Sequence, residues 1–400
     1  MNRDERGPVD ASIARMLRWG AAWALAAAAV IAGCGGGVGV GGTGAYAAGP
    51  ITGFGSIIVN GIEFDDGSAR VEDEDGGGSD RSRLRLGMVV EVESGPIGGS
   101  ASAPTATATR IRFASEIVGP VDSVNVAGST LAVLGQTIVV RPTTVFDDGF
   151  VDGLAGIAAG TRVEVYGFFD PASGRFTATR IEPRAGGLAA YRLRGVVAGL
   201  DRNNRSFALG GLVLGYGALP LPAGFDNGSL VRVQVETTPL NGQWRVISFG
   251  EGVRRLPDLE DAHLRGPVTA FVSSRQFSVD GHPVDAAAAS FPDGEAGVVA
   301  GARVEVEGAV VGGVLRARTV EIDDDGGPQG GFRLIGSIES HQPAAQTFVL
   351  RRTTVFYGGS DVDYEDGSAA DIAAGVAVEV RGALSADGTR LEATEIRFRR

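Results

Sequence analysis

Cys34 is the only cysteine in the 400-residue chain, and it closes an apolar run, MLRWGAAWALAAAAVIAGC, that begins at Met16. A basic start, a short apolar stretch and small residues directly before a cysteine form the pattern of a bacterial lipoprotein signal. The stretch falls short of the roughly 20 consecutive apolar residues expected of a membrane span. A lone thiol has no disulfide partner within the chain, whereas acylation gives it a use. The sequence therefore predicts a signal peptide over residues 1–33, cleavage before Cys34 and lipidation of its sulfur, so that the membrane is the first expected partner. Met16, with Arg18 behind it, offers a second translation start.

The remaining chemistry-bearing residues are dispersed. His263, His282 and His341 lie in different parts of the chain, and no H-x-x-x-H or C-x-x-C spacing occurs. Transition-metal sites that can be read from sequence need such clusters. There is no G-x-S-x-G nucleophile elbow either. Two acidic groups, Glu72-Asp73-Glu74-Asp75 with Asp80 and Asp361-x-Asp363-x-Glu365-Asp366, alternate carboxylates as calcium loops do, but neither has the closing Glu of the twelve-residue loop. They read as solvated acidic loops, with weak calcium binding at Asp73, Asp75, Asp361 and Asp363 as the alternative. Glycoside hydrolysis needs two carboxylates held at a fixed separation, and no pair is singled out. The glycines Gly35–Gly37 and Gly41-Gly42 read as a flexible tether, because no Lys-Ser/Thr follows and no strand precedes them. The expectation is a protein without catalytic residues, cofactor or metal.

Charge narrows the partners. The formal net charge is −12, and loss of residues 1–33, which carry one net positive charge, brings it to −13; every basic side chain is Arg, since the chain has no Lys. An acidic chain repels phosphate backbones and anionic lipid. Single-strand binding also calls for aromatics interleaved with bases, and Trp244 is the only tryptophan after the signal. Nucleic acid is excluded as a partner, while an envelope protein or a glycan is not.

The elements that would position any site come in five copies. Each unit opens on a glycine and a short strand, at Gly49, Gly119, Gly195, Gly266 and Gly336, about 70 to 76 residues apart. A hairpin follows, with Asn60-Gly61 and Asp280-Gly281 suited to a type I′ turn. Leu134-Gly135 and Gly210-Gly211 fill the same place, and Arg351-Arg352 in unit five predicts a different turn. Next comes an aromatic, acidic turn, as in Phe146-Asp147-Asp148-Gly149, and then a Val-Glu-Val strand at Val90–Val92, Val163–Val165, Val304–Val306 and Val378–Val380. Alternation of Val with a charged residue is a strand with one buried and one wet face. Short strands, glycine turns and the lack of any long helical periodicity predict an all-β chain. Its architecture is a tandem array of about five small OB-like β-barrel modules after the signal, with helix confined to single turns. The boundaries are 34–48 for the lipidated cysteine and tether, then modules at 49–117, 118–191, 192–260 (divergent), 261–331 and 332–400. Units this small are marginal alone, so neighbours in sequence are expected to pair edge to edge.

Gly53-Phe54-Gly55-Ser56-Ile57-Ile58-Val59-Asn60-Gly61-Ile62 followed by Leu86-Gly87-Met88-Val89-Val90-Glu91-Val92 resembles a bacterial domain of unknown function, family 5666. That family occurs singly and in tandem in exported proteins and lipoproteins of Gram-negative bacteria. The resemblance is closest in unit one, good in units two, four and five, and weak in unit three. It implies fold and export but no activity. Gly35 after the cysteine, by resemblance to enterobacterial sorting, favours the outer membrane, with the protein facing periplasm or cell surface. The sequence thus predicts a non-enzymatic envelope lipoprotein that presents tandem β modules for binding or scaffolding. A glycan- or oligomer-binding array is the alternative, and a glycan-acting enzyme a more distant one.

Overall fold

The alternating Val-Glu-Val strands and glycine turns build closed rings. The structure, a computed structural model, describes residues 42–73, 77–100, 102–250, 255–323 and 331–399; Cys34 and Asp75 lie outside them. In module two the strands are Ile117–Asn125, Thr130–Val133, Gln136–Val139, Arg162–Asp170 and Arg175–Pro183. The first pairs with the second and the second with the third; the third runs parallel to the fifth, the fifth pairs antiparallel with the fourth, and the fourth returns to the first. This closed order, 1-2-3-5-4, recurs in module one, three and four. Module five repeats it with its first strand split into Phe332–Ser337 and Ser340–Gln342. The chain is all-β, and its modules are small closed OB-like barrels. The helical segments among the described residues are 3-10 turns of three or four residues, such as Gly153–Gly156 before the fourth strand of module two.

Two local devices shape each ring. The fourth strand bends at a bulge just past the Val-Glu-Val triplet, at Gly167, Gly308 and Gly382. A Cβ there would sit 2.1 to 2.2 Å from the fifth strand's carbonyls of Thr177, Arg316 and Glu392, so only glycine fits. Bulges of this kind turn the corner a small barrel needs. The second device is the two-residue hairpin with both residues left-handed, as at Asn60 (φ 50°) and Gly61 (φ 72°). Unit five departs from expectation here. Arg351 (φ 51°) and Arg352 (φ 59°) adopt the same turn, and the guanidinium of Arg351 offsets part of the steric cost by donating to the Ile335 carbonyl at 3.0 Å.

The segment expected as tether is also different. Residues 42–48 belong to the first strand, Gly42–Phe54, which is inserted between the fourth strand of its own module and the first strand of module four. Tyr46, fully buried, packs in the core of module four with Leu264, Val304 and Val306. A short Ala-rich stretch hid this because it carries too few large side chains to show a period.

Edge pairing follows space rather than sequence. Module one pairs with modules four and five, through Ala47 opposite His263 and Phe54 opposite Leu334, and module two pairs with three through Leu193 opposite Ile117. The cores merge accordingly. One apolar cluster joins modules one and five and takes in Tyr166 of module two, and a second joins modules two and three. Small barrels that bury little alone gain a common interior, and the described residues fall within one compact unit.

Candidate binding cleft

Three modules meet around a half-open cleft of about 560 Å³, within the roughly 300–1,000 Å³ of small-ligand sites. Module two contributes Phe169 and Pro171, module three the loop Pro222–Phe225 with Phe249, and module four Thr269, Ala270 and Ser278. The aromatic wall is fixed from behind. Phe207, fully buried, meets Phe225 edge-on at 5.2 Å, and Phe225 meets Phe249 in the same way at 5.3 Å. Such edge contacts are the preferred aromatic geometry. The loop in front is braced at several points. Arg202 donates to the Phe225 carbonyl (3.0 Å), Asn227 accepts from the Leu200 amide (2.9 Å), and the Ser229 hydroxyl accepts from the Asp226 amide (3.0 Å). On the facing module the Thr269 hydroxyl accepts from the Gly281 amide at 2.7 Å. The residues that line the cleft include no Asp, Glu, His, Arg or Cys. Its walls offer apolar surface from half-buried Phe249 and the 5 % exposed Phe169 and Phe225, with hydroxyls and backbone polar groups, a set suited to apolar contact and hydrogen bonding rather than to proton transfer.

Beside the cleft, next to Gly281, a charged lock joins the same three modules. Arg194 of module three is 3 % exposed and Glu116, at the entry to module two, 4 %. The Arg194 Nη1 group donates to both Glu116 oxygens at 3.1 Å and lies 3.0 Å from Asp280 Oδ1 of module four. Arg232 adds a contact to Glu116 at 3.3 Å. Burial opposes the Arg194 charge, but Asp280 and Glu116 outweigh it and hold the guanidinium above its ordinary value. Arginine plays this part elsewhere too. Arg333 bridges Glu63 of module one and Glu379 of module five at 3.0 and 2.7 Å. Arg303, paired with Asp323, lies over the Phe168 ring of module two at 5.0 Å.

The residues singled out in the sequence are not brought to the cleft. Asp73 caps its own turn, its Oδ1 accepting from the Gly77 amide at 2.7 Å. Asp361 and Asp363 belong to no group of three ligand atoms among the described residues; Asp363 sits in a strand opposite Glu395. His282 is 8 % exposed and follows the Asp280-Gly281 hairpin, whose Asp280 meets Arg194 of module three. His341 Nε2 is 2.7 Å from the Tyr357 hydroxyl. What the sequence did not suggest is a meeting of His263 with Glu305 and Glu307, whose ligand atoms lie within 4.8 Å of one another. They come from adjacent strands of module four, more than 40 positions apart in the chain, so no short spacing could announce them.

Residues 118–182, 265–321 and 335–397 match the family model of a domain of unknown function, DUF5666. These segments are modules two, four and five. Module one, where the resemblance looked closest, is not matched; it carries the extra strand pieces Gly78–Ser79 and Gly98–Ser100, which lengthen it relative to the others. Modules one and three share the strand order without the match. A search of curated proteins finds none that matches the chain. Three segments, each covering most of one barrel, are similar to the DUF5666 domain, so modules two, four and five are repeated copies of that domain within this chain.

Proposed function

We propose that the protein is a non-enzymatic cell-envelope lipoprotein, anchored through Cys34 in the outer membrane, whose fused barrels bind a short neutral oligosaccharide in the three-module cleft. The observation that carries the reading is the composition of the cleft: two phenylalanine-bearing walls from different repeats, a braced loop, and no titratable lining residue. Sugar rings present apolar faces that lie against aromatic rings and hydroxyls that bond to backbone groups. A neutral ligand suits a chain of net charge −12 better than an anionic one. Assembly from three repeats makes the array one binding body instead of five independent ones.

Titration calorimetry with N-acetylglucosamine oligomers tests the cleft. Ala270 is exposed on its rim, so Ala270→Trp fills the cleft without touching a core, and binding should weaken by at least about tenfold, the equivalent of 1.4 kcal/mol. Binding unaffected by that variant places the ligand elsewhere. Turnover of chromogenic glycosides lost on a single carboxylate substitution would make the protein an enzyme instead. Release of Cys34→Ala from the membrane fraction tests the anchor separately.

A further inference from the structure

We propose that His263, Glu305 and Glu307 form a binding site for a divalent transition-metal ion of the zinc class. The three side chains stand on two adjacent antiparallel strands, Leu259–Ser273 and Arg303–Val311, with His263 directly opposite Glu307. Strand positions hold ligands more rigidly than loops do. The His263 strand is pinned further, because the Asn60 side chain of module one donates to the His263 carbonyl at 3.1 Å.

Geometry and chemistry agree on the ion. His263 Nδ1 lies 3.3 Å from Glu307 Oε1. Two ligands each about 2.0–2.1 Å from a tetrahedral ion are about 3.3 Å apart. Nδ1 is enclosed by protein and makes no hydrogen bond despite that proximity. A buried ring nitrogen without a bonded partner has a lone pair or a proton to satisfy, and an ion between it and the carboxylates does so. Imidazole nitrogen and carboxylate oxygen are both ligand types that zinc takes, and three protein ligands leave the fourth tetrahedral position for water. Glu307 is 45 % exposed, which leaves a way in for the ion and its water.

The surrounding charges leave the site anionic. Arg265 stands directly opposite Glu305 on the neighbouring strand. Arg265 itself is committed to Asp323 at 2.6 Å, and Arg318, the cation near Glu307, to Asp261 at 2.6 Å. A simple imidazolium–Glu307 pair would leave the half-buried Glu305 only partly offset by Arg265, whereas a divalent cation compensates both carboxylates.

Zinc titrated calorimetrically into the EDTA-stripped full chain should show one site. His263→Ala and Glu307→Gln should each cost at least the ~100-fold in affinity that even outer partners of a metal site command. Zinc should also raise the midpoint of thermal unfolding in wild type and not in the variants. Glu307→Gln is isosteric and half-exposed, so it keeps the test open if His263→Ala fails to fold. No binding by wild type, or equal affinity in wild type and Glu307→Gln, overturns the proposal.

Discussion

Arg194→Met should be among the most destabilising single substitutions in the chain. The side chain lies where modules two, three and four meet, and it satisfies Glu116 and Asp280 together. Removing one partner of a buried ion pair costs about 3–5 kcal/mol, because the other is left charged and dry. Against the ~5–15 kcal/mol of a typical domain that loss is large. Glu116, 4 % exposed, keeps the longer 3.3 Å contact to Arg232 but loses both Arg194 bonds, while Asp280 has a side chain 27 % exposed. Glu116→Gln should cost less, since Arg194 keeps Asp280. The double variant Arg194→Met/Glu116→Gln should be more stable than the sum of the singles by at least about 1 kcal/mol, as contacting residues couple. Urea unfolding of wild type and the three variants, followed by far-UV circular dichroism, measures the coupling. An Arg194→Met within about 0.5 kcal/mol of wild type, the range of ordinary surface changes, or strict additivity, would refute the lock.

Tyr46→Ala should lose about 3–5 kcal/mol, as for other buried aromatics, and a chain beginning at residue 49 should melt well below one beginning at residue 42; equal midpoints would mean that residues 42–48 are a tether after all. Glu305 titrates with its pKa raised by burial, so its contribution is fully present below the unfolded carboxylate value and is lost as pH rises through the folded one. In the metal-free chain Glu305→Gln should therefore gain on wild type from acid to neutral pH, and a flat difference between the two stability curves would contradict this. Arg352→Gly should raise the urea midpoint, since glycine relieves the roughly 1–2 kcal/mol of left-handed strain, less the loss of the arginine's 3.3 Å contact to the Ser82 carbonyl; a lowered midpoint would show that the contact outweighs the strain.

The repeated unit was legible because its physics is local. Val304 and Val306 point to a core and Glu305 away from it, and a period of two needs only neighbouring residues to be seen. Turn glycines mark the hairpins for the same reason, whereas the order 1-2-3-5-4 came only with the strand pairings. Unit five escaped because the left-handed turn at Arg351-Arg352 is imposed by the strands on either side, against the preference of its own residues. The Gly167, Gly308 and Gly382 bulges were present in the sequence as the residue two past each Val-Glu-Val triplet. Their role needed the facing carbonyl to be seen. Which module pairs with which was not legible, since Ala47 and His263 lie more than 200 positions apart and any strand edge offers the same amides. The cleft and the His263 cluster exist only through those long-range pairings.

Hydrogen exchange of the mature chain, with and without N-acetylglucosamine tetramer, tests the central claim most directly, because it reports every module at once. Slowed exchange confined to residues 169–171, 222–231, 249–250 and 269–281, spanning the walls of the cleft from three modules, is the predicted result. Protection on the outer loops of a single barrel, with those segments unchanged, would contradict it.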